Sequence, residues 1–375
     1  MTSISGRDPH TGRTIEVVIR DGIIDAIADI PSADPAWLCP GLIDLQVNGY
    51  QGFDLNSDDV TPDTVINLSR SVLATGVTTF LPTIITASEE KMIACLRAIA
   101  TARQLNPALS HMIPGVHVEG PYLSSEDGPR GAHPREHIRP PSMAEFDRWQ
   151  QASGGLVKLV TLSPHFDEAP SYIAALRSRG VLISIGHTHA SPEQIHAAVD
   201  AGATLSTHLG NGVADSLPRH PNLLWTQLAE DRLTATFIGD GHHLPSDTLK
   251  VILRAKGLDR SILVSDVVAL GGMPPGLYKT PVGGLVELTP DGRLSLPGTR
   301  LLAGSVVSLK DAVARLATTE LSLSESLRLA TQNPAHVLGR SGKLQVGAPG
   351  DLIRFTWKPG AEFQIESTLL QGTPA

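Results

Sequence analysis

The chain has 375 residues, 41% of them hydrophobic, enough for a large core and more than the roughly 250 residues of a (β/α)8 barrel. Its 38 acidic and 30 basic residues give a formal charge of −8 with no basic stripe, which excludes a nucleic-acid binder. No segment approaches the roughly 20 apolar residues that span a bilayer, the start MTSISGRDPHTGR lacks a signal peptide's apolar core, and Cys39 and Cys95 are too few for a disulfide framework or a thiolate metal site. A soluble, cytoplasmic protein with no nucleic-acid or membrane partner is expected.

In chain order, the first predicted elements are strands over Thr14 to Arg20 and Ile23 to Ile30, joined by an Asp21-Gly22 turn. Eight apolar runs then alternate with helical patterns: residues 42–48, 77–83, 112–119, 156–163, 181–187, 203–208, 233–240 and 262–266. After the fifth run, Ser191 reads as a helix cap, Pro192 as its first turn and Gly202 as its stop. The carboxyl end returns to strand character over Asp351 to Trp357 and Phe363 to Leu370. Neither terminal segment has enough strands to stand alone, so the two are expected to pair with each other. The expected fold is α/β: a (β/α)8 TIM-like barrel over 41–341, with a small β-sandwich domain built from 1–40 and 342–375. A doubly wound sheet fits less well, because no Gly-rich phosphate fingerprint follows the first strand.

Barrel strands present their carboxyl ends to the active site, and polar residues collect there: Gln46, Asn48, Glu119, His187, His208, Asp240, His242, His243 and Asp266. A lone histidine is more often packed or solvent-facing. Coincidence at three strand ends argues otherwise for Glu119, His187 and His208, a carboxylate with two imidazoles that suits zinc or another divalent metal and leaves a position for water. Asp266 closes an apolar run and is placed as the base for that water, with a helix cap or a structural ion pair as the alternative. Asn211 and Gly212 with Arg219, joined by His243, would suit an anion such as phosphate; a solvent-facing arginine is the plainer reading. No GxSxG, CxxC or HExxH motif offers other chemistry.

Taken together, CPGLIDLQVNGYQGFDLN, TGVTTFLPTIIT, GVHVEGPYLS, GHTHA, THLGNG, IGDGHH, LVSD, LLAGS and KLQVGAPGDL resemble the N-acetylglucosamine-6-phosphate deacetylase family of the amidohydrolase superfamily. The resemblance runs from residue 39 to residue 352. It implies hydrolysis of N-acetylglucosamine 6-phosphate to glucosamine 6-phosphate and acetate, by a homodimer. It implies one divalent metal, usually zinc with iron, manganese or cobalt as alternatives, on Glu119, His187 and His208, and Asp266 as catalytic acid/base. His133, in GAHP, would touch the substrate near its acetyl group. Asn211, Gly212, Arg219 and His243 would hold the sugar phosphate, and Leu302, Ala303 and Gly304 would line the acetamido-sugar pocket.

Several positions depart from the family pattern. Gln46-Val47-Asn48 stands where many amidohydrolases carry a His-x-His pair for a second metal, a form some family members share; neutral amides bind zinc poorly, so one metal is expected. Asn211-Gly212-Val213 replaces Asn-Ala-Met, Thr188-His189 replaces Ser-Asn, and DGHH carries an extra imidazole, His242. These changes bear on substrate choice, leaving a different acetamido sugar or an N-acyl amino acid as alternatives. A two-metal enzyme with a modified Lys158, and a non-catalytic amino-sugar-binding barrel, are further readings.

Overall fold

Strands buried on both faces read as continuous apolar runs, and the eight runs of this chain form one parallel sheet in the computed structural model. The structure describes residues 1–375 apart from 33, 281–283 and 300. The barrel strands, one to eight, are Leu42–Val47, Val77–Ile85, Val116–Glu119, Val157–Leu162, Leu182–Ile185, Leu205–Ser206, Thr234–Ile238 and Ser261–Val264. Each pairs in parallel with the next. The barrel closes through a parallel Val47–Val267 bridge, where the Asn48 amide donates to the Val267 carbonyl at 2.9 Å. The fold is thus the expected (β/α)8 barrel with a small β domain made by both termini.

The start of strand three and the ends of strands five to eight differ from expectation. Residue 112 ends a helix, Pro107–Met112, rather than starting strand three; Asn106 caps that helix and Pro107 occupies its first turn. Strand six is only Leu205–Ser206, and strands five, seven and eight end at Ile185, Ile238 and Val264, so His187, His208, Asp240 and Asp266 belong to the loops just beyond their strands. The helix after strand five, Pro192–Ala201, forms as expected, with a reciprocal Ser191/Gln194 capping box and Gly202 at φ 120°.

The termini form a seven-stranded sheet in the order Thr373–Pro374, Gln364–Leu370, Leu352–Thr356, Trp37–Pro40, Thr2–Arg7, Thr14–Arg20, Ile23–Asp29. Strands Thr2–Arg7, Trp37–Pro40 and Thr373–Pro374 are additions to the sequence expectation. Along Thr14–Arg20 every second residue points inward, so Ile15, Val17 and Ile19 meet Ile24, Leu38, Leu352 and Leu369 in one core. Because those residues come from strands near both edges, the sheet curls around them. Gly41 then passes the chain into barrel strand one, so close to Thr78 that a Cβ there would lie 2.1 Å from its Oγ1.

An antiparallel insert of three strands, Gly276–Thr280, Gly284–Leu288 and Leu294–Ser295, follows strand eight and lies outside the sequence expectation. It has its own apolar cluster around Leu270, Val286, Leu288 and Leu294. It leaves and rejoins the barrel at one place, where Val267 bridges Ser305 and the Val268 amide donates to the Ser305 carbonyl at 2.9 Å.

Candidate active site

The barrel strands end in polar residues around a cavity of about 370 Å3, within the range of small-molecule sites. Glu119, the last residue of strand three, is buried at the centre. Its Oε1 accepts from Gln46 Nε2 at 3.0 Å and from His208 Nε2 at 3.0 Å, and lies 3.4 Å from His187 Nε2. Burial by itself would raise this carboxyl, but the contacts from His187 and His208 outweigh it and hold it well below the usual carboxylate range.

The histidines are oriented from behind. His187 Nδ1 donates to the Pro129 carbonyl at 2.9 Å, which turns Nε2 toward Glu119. His133 enters from the loop after strand three. Its Nδ1 meets Thr86 Oγ1 at 2.9 Å and its Nε2 lies 3.3 Å from His187 Nε2. Burial, reinforced by His187, pulls the His133 imidazole down to about 3, so it is neutral at physiological pH. Glu119, His133 and His187 offer ligand atoms within 4.8 Å of one another. His208 adds a further ring to the cluster, and its Nδ1 is buried with no hydrogen-bond partner. A carboxylate and imidazoles turned on one point form a donor set that fits a divalent first-row metal. The tight trio differs from the sequence-derived one, because His133 comes from a loop whose path the strand pattern does not reveal.

Three residues, each two positions past the end of its strand, hold an unusual backbone: His187 at φ 48°, His208 at φ 30° and Asp266 at φ 49°. Left-handed geometry in non-glycine residues costs roughly 1–3 kcal/mol each and clusters at functional sites. Each turns the chain sharply off its strand toward the cavity. Asp266 lines that cavity, and its Oδ1 accepts from Asn48 Nδ2 at 2.7 Å. Burial, and then the negative charge of Glu119, push its carboxyl up to about 8.

Asn211, Gly212 and His243 line the same cavity, as do Leu302, Ala303 and Gly304. His243 Nδ1 meets Asp240 Oδ2 at 2.6 Å, while Asp240 Oδ1 accepts the amides of His242 and His243 at 2.8 and 2.9 Å. Burial would raise Asp240, but the His243 contact prevails and draws it down to about 2. The ring of His243 is thereby fixed with one nitrogen committed to Asp240. His242 instead reaches the insert, where its Nε2 donates to the Asp291 carbonyl at 3.1 Å. His189 faces away from the central cluster, with Nδ1 2.6 Å from Ser124 Oγ and its ring beside His165.

Arg219 is the exception among the expected residues. It is exposed and does not line the cavity. Asn222 accepts from the Leu224 and Trp225 amides and donates to the Pro218 carbonyl, which folds the Pro218–Asn222 turn onto the next helix instead of over the site. Conversely, Asp54 and Asn56 line the cavity, although the strand-end pattern singles out neither. Their place in the segment after strand one is the available signal.

These features agree with comparisons to known proteins. The profile of the Amidohydrolase family matches residues 37–373. N-acetylglucosamine-6-phosphate deacetylase of Bacillus subtilis (strain 168) is 31% identical over 356 residues, covering 90% of this chain and 87% of that one. N-acetylgalactosamine-6-phosphate deacetylase of Escherichia coli O157:H7 is 33% identical over 338 residues, covering 88% and 87%. The crystal structure of N-acetyl-D-glucosamine-6-phosphate deacetylase from Mycobacterium smegmatis superposes with a TM-score of 0.89 at 27% identity, covering 100% of both chains. A barrel with a carboxylate and histidines at its mouth, matched by that profile over almost its whole length, belongs to the amidohydrolase family.

Proposed function

We propose that the protein hydrolyses the acetamide of N-acetylglucosamine 6-phosphate, releasing glucosamine 6-phosphate and acetate, as a cytoplasmic homodimer. The observation that carries this reading is that Asp266, the Glu119 cluster and the Asn211–Gly212–His243 group line one cavity. The relatives named above, deacetylases of phosphorylated acetamido sugars, support the substrate class. Residues 1–40 and 342–375 are taken as one domain and 41–341 as the catalytic one.

Glu119, His187 and His208 would hold the metal, with His133 beside them. A divalent cation held there, zinc by ligand preference, would supply Lewis acidity toward a water and the amide carbonyl. A cation bound beside Glu119 would favour ionised Asp266, whose carboxylate takes the proton of the attacking water and returns it to the departing amine. Neutral His133 sits beside the acetyl group. His243, with the Asn211 side chain and the Gly212 amide, holds the phosphate. Leu302, Ala303 and Gly304 flank the sugar. Arg219 has no part in this cavity as the single chain is folded.

Acetate release by the protein purified with its metal, from N-acetylglucosamine and N-acetylgalactosamine with and without the 6-phosphate, tests the reading. The 6-phosphates should be strongly preferred, with one metal bound per chain. Preference for the unphosphorylated sugars overturns the phosphate site, and two metals with a carbamylated Lys158 overturn the one-metal assignment. N-acetylgalactosamine 6-phosphate is the second reading, favoured by the Escherichia coli relative.

A further inference from the structure

Strand one brings no imidazole to the site. Its inward-facing residues, Asp44, Gln46 and Asn48, nevertheless all face groups that matter. Asp44 Oδ1 accepts the amides of Gln46 and Ser265 at 3.3 and 3.2 Å, and Ser265 Oγ donates back to the Gln46 carbonyl at 3.3 Å. Gln46 donates to Glu119. Asn48 donates to Asp266. The seam where strand one meets strand eight is therefore stitched by polar contacts on both sides of Asp266.

Asn48 is pinned there by its backbone, since its amide and that of Gly49 both donate to the Val267 carbonyl, at 2.9 and 3.1 Å. Its side chain is buried, and its Oδ1 has no partner. An unpaired buried acceptor is a cost that a leucine of similar size would not carry. The amide's orientation is thus set by what its nitrogen does. Among the described residues, Asn48 is the one side chain hydrogen-bonded to the Asp266 carboxylate. Asp266 itself stands at a strained turn with φ 49°, where nothing in its own backbone preference fixes its aim.

We propose that Asn48 is a positioning residue for proton transfer: its side-chain amide holds the Asp266 carboxylate in the orientation that faces the substrate water. A general base contributes only when held within hydrogen-bond reach of the proton it takes. On this seam the Asn48 amide is aimed at the base. The proposal rests on the deacetylase reading above.

The test compares wild type with Asn48→Leu and Asn48→Asp, both of similar size and both lacking the donor. The expected result for Asn48→Leu is a kcat for N-acetylglucosamine 6-phosphate lowered by about 10- to 100-fold, a share of the general-base contribution, with KM within about threefold. Metal content and thermal unfolding should stay at wild-type values or better. The acid limb of the kcat profile should move to higher pH in both variants, further in Asn48→Asp, because a donor to the charged carboxylate is lost and then replaced by a like charge. A kcat within about threefold of wild type, or a fall that tracks loss of metal, overturns the proposal. If wild type itself turns over none of the acetamido sugars, the substrate reading fails. Infrared difference spectra against Asp266→Asn then decide this inference alone: an Asp266 carboxylate band unchanged by Asn48→Leu overturns it, and a shifted band supports it.

Discussion

At the scale of single residues, the site is held by groups the backbone would not choose. His187, His208 and Asp266 take left-handed turns that cost stability, and Asp266 adds a carboxyl displaced to about 8. Between an unfolded value of roughly 3.9 and this folded value, the folded chain keeps a proton that the unfolded chain has lost, so stability from Asp266 falls as pH rises through that window. Asn tolerates the left-handed region better than most residues and carries no charge. Asp266→Asn should therefore abolish turnover while making the metal-free protein more stable, by an amount that grows from about pH 4 to about pH 8; urea unfolding of chelated protein checks it, and a less stable variant refutes it. Gly212 presses on His187: a Cβ there would lie 2.8 Å from Nδ1, at φ +60°. The ring cannot retreat without losing the Pro129 carbonyl. Gly212→Ala should weaken metal binding by about 10- to 100-fold, as disturbed orienting contacts do, measured by metal titration. The residue types at the strand ends were legible in the sequence because a barrel dictates where they go. Their strain was not, since no local pattern encodes a non-glycine residue at positive φ. Arg219 shows the converse, a residue type that suits a phosphate on a turn that Asn222 folds elsewhere.

Elements announce themselves when their ends carry caps. Ser191, Pro192 and Gly202 mark a helix that forms where expected. Asn106 and Pro107 carry the same kind of mark, but the apolar run into strand three masks it, and that strand starts at Val116 instead of at residue 112. Strand six shrinks to Leu205–Ser206, because its end is spent on the turn at His208. Other helix ends are closed from a distance. The Leu223–Ala229 helix finishes against Lys256, whose Nζ donates to the carbonyls of Gln227 and Glu230 at 2.8 and 2.6 Å, satisfying groups a helix leaves open. Lys256→Met should lower stability by about 1–3 kcal/mol with kcat/KM near wild type at 25 °C; a variant as stable as the parent in urea unfolding would remove that role.

For the molecule as a whole, eight apolar runs and strand-like termini were enough to foresee a barrel joined to a terminal β domain. Which strands of the two ends would pair was not legible, since Trp37–Pro40 meets Leu352–Thr356 across most of the chain length. That pairing ties the domains energetically: Ile353, Phe355 and Phe363 belong to the same apolar cluster as the barrel residues, and His111 meets Asp351 at 2.5 Å. Removing residues 351–375 should leave the barrel insoluble, not merely shortened, which expression and sedimentation check; a soluble, metal-binding remnant would contradict it. The insert after strand eight is organised differently. Its ends meet at the Val267–Ser305 bridge, its interior is its own, and it supplies Leu302, Ala303 and Gly304 to the cavity wall. A segment that departs and returns at one point can diverge without moving the catalytic groups beneath it. Evolution can therefore treat the insert as an exchangeable cassette, and so can an engineer who wishes to give this barrel another acylated amine.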